Sequence, residues 1–111
     1  MSGYAMAMPD LFAVLADPTR RRMLELVGQR ERAVGELVDA VGISQPGVSK
    51  HLRVLLEAGL VRSRARGKHR LYRMRATPLR EVETWIARFR PYWDERLDDL
   101  EAHLNRKHGG R

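Results

Sequence analysis

The chain has 111 residues and no cysteine, which allows one modest hydrophobic core and excludes disulfides, thiolate metal sites and cysteine nucleophiles. Its apolar runs are far shorter than the roughly 20 residues of a membrane helix, and residues 1–8 do not resemble a signal peptide, so we expect a cytoplasmic protein with no membrane partner. The net charge of +7 is concentrated in residues 44–75, where nine Lys and Arg residues face only Glu57, and this favours a nucleic-acid partner over a merely solvated surface.

The first half of the chain predicts three helices. A short helix opens near Pro9. A second begins at Asp17-Pro18, an N-cap acceptor followed by proline at the first helical position, and ends at Gly28. After a polar connection, a third helix ended by Gly42 has its apolar residues on one side: Val34, Leu37, Val38 and Val41.

The fourth helix, over residues 44–57, has Ser44 as its cap and Pro46 in its first turn. Its apolar positions i, i+4, i+7 and i+8 predict a buried stripe of Val48, Leu52, Leu55 and Leu56. The outer face is polar and cationic, with Gln45, Ser49, Lys50 and Arg53. A short helix, a glycine turn and such a helix form a helix-turn-helix, which presents its outer face to a major groove.

Residues 60–75 predict a two-stranded hairpin with its turn at Arg66-Gly67-Lys68. A hairpin directly after a helix-turn-helix is a wing. Its tip carries side chains suited to phosphates or to a narrow minor groove: Arg64, Arg66, Lys68, His69 and Arg70. We interpret Tyr72 as a packing residue of the wing and not as a base-stacking platform.

Thr77-Pro78 begins a last helix, and Pro91 is expected to kink or divide it. Its apolar residues recur every three or four positions: Leu79, Val82, Ile86, Phe89, Trp93, Leu97, Leu100 and Leu104. A small domain cannot cover so long a stripe, so part of it is expected to pack on a partner chain. The aromatic residues among and beside these could line an effector pocket, but packing is the plainer interpretation.

We expect one folded domain over residues 9–104 with flexible tails at 1–8 and 105–111. The chain is not expected to be an enzyme, because Ser49 and His51 are two positions apart on a helix and cannot face each other, and because no glycine-rich phosphate loop is present. A winged-helix module that binds only proteins is the remaining alternative, but such a module would be expected to lack the cationic wing.

Four stretches resemble the ArsR-type winged-helix repressors: residues 15–24 (LADPTRRRML), 34–37 (VGEL), 43–52 (ISQPGVSKHL) and 55–61 (LLEAGLV). The similarity runs through about residues 10–90. It implies a mainly α fold of about five helices with a small β-hairpin wing. It also implies a homodimer, held by its first and last helices, that binds a partly palindromic operator in double-stranded DNA, usually as a repressor.

The resemblance also implies roles for particular residues. Five residues of the fourth helix and its cap would lie at or beside the major groove: Ser44, Gln45, Ser49, Lys50 and Arg53. The wing tip, Arg64–Arg70, would lie over flanking backbone or minor groove, and His51 would either contact a phosphate or brace its helix. The dimer interface would draw on the first and last helices: Leu11, Phe12, Leu15, Trp85, Phe89, Trp93, Leu97 and Leu100.

Metal-sensing members of this family carry a Cys-Val-Cys motif at the start of the third helix, where this chain has Ala33 and Gly35. Sensing through thiolates is therefore excluded. Other members bind zinc or nickel through Asp and His on the last helix, where this chain has Asp99, His103 and His108. We interpret these three as a solvated polar face, so no metal and no cofactor are expected, and the effector is left open.

Overall fold

In a computed structural model the chain is described over residues 8–109, and its side chains over residues 11–104. The elements in chain order are α1 (Met8–Leu15), α2 (Pro18–Gln29), β1 (Arg32–Ala33), α3 (Val34–Val41), α4 (Gln45–Glu57), β2 (Val61–Arg66), β3 (His69–Met74), α5 (Thr77–Ala87) and α6 (Arg90–Gly109). The three strands form an antiparallel sheet in the order β1-β3-β2. The predicted fold class, mainly helical with a small wing, is confirmed.

Both helix caps predicted in the first half of the chain are present. The Asp17 carboxylate accepts hydrogen bonds from the backbone N–H groups of Thr19 and Arg20, at 2.8 and 3.1 Å, and the bond from Arg20 is the main cause that holds the pKa of Asp17 below its ordinary value. The Ser44 hydroxyl accepts a bond from the Gly47 N–H at 3.3 Å. These caps satisfy N–H groups that have no partner inside the helix, and they fix where α2 and α4 begin.

Helix α3 is fixed at both ends by local bonds. The Glu36 carboxylate accepts from the Ala33 N–H at 2.9 Å, one turn before it. At the other end Gly42 adopts a left-handed conformation, with φ of 73°, and its N–H donates to the Val38 carbonyl at 2.9 Å. Glycine enters this conformation without steric cost, which explains why the chain can turn sharply into α4.

The sheet contains one strand that the sequence did not predict. Strand β1 pairs with β3 through Arg32–Tyr72 and Ala33–Leu71, where the sequence predicts the end of a polar connection, residues 29–32, and the start of the third helix. The hairpin itself matches the prediction. Arg66 pairs with His69 around a two-residue turn, and Gly67 has φ of 61° at the first turn position, where a tight hairpin favours glycine.

The core of the first part of the chain forms between α2, α3, α4 and the start of the hairpin. Its fully buried side chains are Met23, Val27, Leu37, Val48, Leu52, Leu55 and Leu60. The predicted stripe of α4 is correct at three of four positions. The prediction that Leu56 is buried is wrong, because its side chain is 37% exposed. At 100° per residue its Cβ lies about 80° around the helix from Val48, beyond the buried side.

A Leu52→Ala substitution tests this assignment. We expect it to lower the free energy of unfolding by about 2–5 kcal/mol, because it removes a fully buried side chain and leaves a cavity. Leu56→Ala on the same helix is the matched control and should cost less than half as much. Urea unfolding followed by circular dichroism measures both, and equal losses would contradict the orientation of α4.

The last predicted helix is divided, as Pro91 suggested. Helix α5 ends at Ala87 and α6 begins at Arg90, so Pro91 lies in the first turn of α6, where a missing N–H breaks no helical bond. Within residues 8–109 this division gives six helices in place of the predicted five or so. The chain forms two compact units that meet in sequence between Glu81 and Val82. No helix within residues 8–109 is long and apolar enough to cross a membrane.

The predicted flexible tails, at residues 1–8 and 105–111, fall largely outside the described part of the chain. The structure does not describe residues 1–7, 110 and 111, nor the side chains of residues 8–10 and 105–109. The tails therefore stay predictions.

Candidate nucleic-acid interface

The outer face of α4 is open to solvent. Val48, Leu52 and Leu55 are buried, and this fixes the rotation of the helix about its axis. The rest of the helix surface then exposes Gln45, Ser49, Lys50 and Arg53. The last three of these line a shallow concavity together with Pro46. Four of the residues predicted to lie at a major groove therefore share one accessible surface.

Ser44 and His51, also predicted near DNA, have contacts within the chain. The Ser44 hydroxyl caps α4, as described above. His51 is half-buried, and its Nδ1 lies 3.5 Å from Nη1 of Arg20. Arg20 donates in turn to the carbonyl oxygens of Val14, at 2.8 Å, and Ala13, at 3.3 Å. His51 thus links α4 to the junction of α1 and α2, which favours the bracing role, and a phosphate contact stays a prediction.

The tip of the wing lies beside the start of α4. Lys68, His69 and Arg70 line a cleft with Gln45 and with residues 33–36 at the start of α3. Cations of the wing and a polar residue of the exposed helix therefore border the same space, although they are more than 20 positions apart in sequence. This gives one continuous polar and cationic surface from α4 to the hairpin.

The strand register divides the wing cations between two faces of the sheet. Side chains of paired residues lie on the same face, and successive residues alternate between faces. One face contains the pairs Val61–Met74, Ser63–Tyr72 and Ala65–Arg70. Val61 and Tyr72 are buried, so this is the inner face, and the packing role predicted for Tyr72 is confirmed. The outer face contains the pairs Arg62–Arg73, Arg64–Leu71 and Arg66–His69.

Arg64 forms an ion pair that the sequence did not indicate. Its Nε and Nη2 atoms donate to the two carboxylate oxygens of Glu31, each at 2.7 Å. The hydrogen bond from Arg64 is the main cause that holds the pKa of Glu31 below its ordinary value, and the charges of Arg73 and Arg66 act in the same direction. Arg64 is therefore already paired with an acid of its own chain. A side chain that only binds phosphate would be expected to have no such partner.

The residues predicted for a dimer interface differ in exposure. Leu11 is only 3% exposed, so almost none of its surface is left for a partner, and Leu15 is half-buried. The others expose between 37% and 58% of their surface: Phe12, Trp85, Phe89, Trp93, Leu97 and Leu100. Trp85 and Phe89 pack edge to face with their ring centroids 4.9 Å apart. The interface assignment of all eight residues therefore stays a prediction, with Leu11 expected to contribute least.

The possible metal ligands of the last helix are not assembled into a site among the described side chains. Asp99 and His103 are exposed on α6, and the side chain of His108 lies outside the described part. Within residues 11–104 no three His, Asp or Glu side chains come close enough together to hold an ion. The expectation that no metal is bound stays a prediction.

These elements define a class of protein. A helix-turn-helix with an exposed cationic second helix, followed by a cationic hairpin, is a winged helix-turn-helix DNA-binding domain. Residues 17–63, which span α2 to the first strand of the hairpin, match the family described as bacterial regulatory protein, arsR family.

Comparison with known proteins identifies the family. The HTH-type transcriptional regulator Rv2034 of Mycobacterium tuberculosis is 43% identical over 82 residues, which cover 73% of this chain and 77% of that protein. The transcriptional repressor SdpR of Bacillus subtilis is 29% identical over 82 residues, covering 74% of this chain and 91% of the repressor. This chain belongs to the ArsR family of transcriptional regulators, as its sequence motifs indicated, and the expectation that it is not an enzyme is confirmed by that membership.

A solved structure supports the fold. The solution structure of a homodimeric winged helix-turn-helix DNA-binding domain from Mycobacterium bovis, a possible ArsR-family transcriptional regulator, superimposes with a TM-score of 0.61. The two sequences are 28% identical, and the match covers 73% of this chain and 78% of the other.

Proposed function

We propose that the chain is a dimeric transcriptional repressor that binds a partly palindromic operator in double-stranded DNA. The observation that carries this proposal is the continuous surface formed by the outer face of α4 and the wing-tip cleft. A helix of 13 residues with a polar and cationic outer side has the dimensions that a major groove admits. Because a bacterial operator lies in the cytoplasm, the protein would act there.

In this proposal α4 supplies the sequence-specific contacts. Arg53 and Lys50 can donate to the O6 and N7 acceptors of guanine, and Gln45 can pair with adenine through its amide. Ser49 is short enough to contact either type of base. Ser44, which caps α4, and His51, which is half-buried at the middle of that helix, would contact or orient the adjacent phosphates.

The wing would supply contacts that add affinity without reading sequence. Arg66, Lys68 and His69 surround the turn, and Arg70 lies beside Gln45 at the cleft. Cations in these places would meet phosphates flanking the groove or enter a narrow minor groove. Arg64 would join them only by leaving Glu31.

Dimerisation is supported by the exposed apolar side chains of α5 and α6 and by the homodimeric state of the Mycobacterium bovis domain. A dimer would place two α4 helices about one helical turn of DNA apart, and this geometry explains why a partly palindromic site is expected. Repression would follow from occupation of a promoter, because the bound dimer would exclude RNA polymerase. The name of the Bacillus subtilis relative, a transcriptional repressor, agrees with this direction of regulation.

The test is a selection of duplexes from a randomised pool, followed by mobility shift with the selected sequence and a scrambled duplex of the same length. We expect the selected duplex to bind at least about 1,000-fold more tightly at physiological salt, the lower end of the range for specific regulators. Equal affinities for the two duplexes at both low and physiological salt would contradict the proposal and would favour a module that binds only proteins.

A further inference from the structure

The outer face of the wing sheet carries more positive charge than the wing-tip contacts use. Its basic residues are Arg62, Arg64, Arg66, His69 and Arg73, which we call the outer arginine face. The four arginines are exposed. Arg62, Arg64 and Arg73 line a cleft of about 280 Å³ together with Ser63 and Glu31. This cleft is separate from the one that the wing tip forms with α4.

The arrangement of these arginines is unfavourable for the sheet alone. Arg62 and Arg73 are paired directly across β2 and β3, and like charges in that position destabilise a sheet. Of the described residues that line the cleft, Glu31 is the one acid. It supplies one negative charge against three arginines, so the cleft retains a net positive charge that an external anion would relieve.

The ion pair between Glu31 and Arg64 shows which kind of anion the cleft can bind. Arg64 presents two N–H groups side by side to two oxygens at 2.7 Å. The same fork binds the two free oxygens of a phosphodiester group as well as those of a carboxylate. Because the Arg64 side chain is 56% exposed, its pair with Glu31 contributes little net stability, and an incoming phosphate could replace the carboxylate at small cost.

We propose that the outer arginine face binds the phosphodiester backbone of DNA that flanks the operator, and that Glu31 occupies the place of a phosphate while the protein is free. This inference rests on the proposed function, since it extends the same DNA contact beyond the operator. Arg62 and Arg73 would bind phosphate directly. Arg64 would be released from Glu31 when flanking DNA is present.

The experiment compares a short duplex that contains only the selected operator with a long duplex that adds about 10 base pairs on each side. The wild-type chain should bind the long duplex about tenfold more tightly. The double variant Arg62→Gln/Arg73→Gln should lose that advantage, and its salt slope on the long duplex should fall by about 4, because each of the two chains loses two phosphate contacts at about one unit each. Its affinity for the short duplex should stay within about twofold of wild type, which also shows that the variant is folded.

Two further variants sharpen the comparison. Arg22→Gln/Arg80→Gln removes the same charge from exposed positions on α2 and α5, and it should keep the advantage of the long duplex. Glu31→Gln keeps the side-chain volume and removes the competing charge, so it should increase the preference for the long duplex about threefold.

The outcomes separate this inference from the proposed function. A wild-type chain without any sequence preference overturns both. A chain that prefers the selected operator but binds short and long duplexes equally overturns only the role of the outer arginine face, and it would direct attention to an acidic protein segment as the partner. Equal losses from the sheet variant and the helical control variant also overturn it, because the effect would then follow from net charge alone.

Discussion

A Leu97→Glu variant is expected to sediment as a monomer and to bind the selected operator at least about 100-fold more weakly than wild type. Leu97 lies on α6 and is 58% exposed, within the series of apolar residues that we propose to pack on a second copy. A glutamate there would have to lose its hydration without a partner, which disfavours the dimer. Binding falls because the second half-site no longer benefits from the effective concentration that a dimer provides.

A matched control separates the position of the charge from its presence. Ala102→Glu adds the same charge to α6, about 140° around the helix from Leu97. It should leave both the dimer and the affinity for DNA unchanged. Sedimentation velocity measures the oligomeric state and mobility shift measures the affinity. An unchanged dimer for Leu97→Glu would contradict the assignment of this face of α6 to the interface.

Arg53→Ala is expected to abolish most of the discrimination between the selected and the scrambled duplex. Arg53 is exposed on the side of α4 opposite to its buried stripe, next to Ser49 and Lys50. A bidentate contact to guanine contributes about 1–3 kcal/mol of discrimination, and a dimer would lose two such contacts, so the selected duplex should lose about 30-fold or more in affinity. Affinity for the scrambled duplex should change far less.

Arg66→Ala provides the contrasting result. Arg66 is paired with His69 beside the hairpin turn, where a phosphate contact is proposed. Its loss from both chains of the dimer should weaken binding to both duplexes by a similar factor and lower the salt slope by about 2. Mobility shift across a salt series distinguishes the two variants. Parallel losses on both duplexes for Arg53→Ala as well would show that α4 does not specify the sequence.

Much of the fold could be predicted from local signals. Asp17 and Ser44 begin their helices because a short polar side chain satisfies free backbone N–H groups, and this effect depends only on near neighbours. The spacing of Val48, Leu52 and Leu55 likewise determines which side of α4 is buried. Leu56 belonged to the same apolar pattern, but the sequence does not show where the buried side ends.

The features that were missed depend on pairing across the sheet. Strand β1 has two residues, too few for alternation to appear in the sequence. The pair of Glu31 with Arg64 joins positions 33 residues apart and becomes visible only when β3 is in register with both β1 and β2. The turn length decides which residues of β3 share a face with Arg62 and Arg64, so the division of the wing cations could not be derived from composition.

In the proposed complex two copies of the chain bind one operator with α4 in successive major grooves. Hydroxyl-radical footprinting on the selected duplex, with the stoichiometry measured on the same complex, tests it most directly. We predict two symmetry-related protected half-sites whose centres are about 10–10.5 base pairs apart, or a multiple of that distance. We also predict two chains per duplex. A single protected half-site, or one chain per duplex at saturation, would contradict this arrangement of the complex.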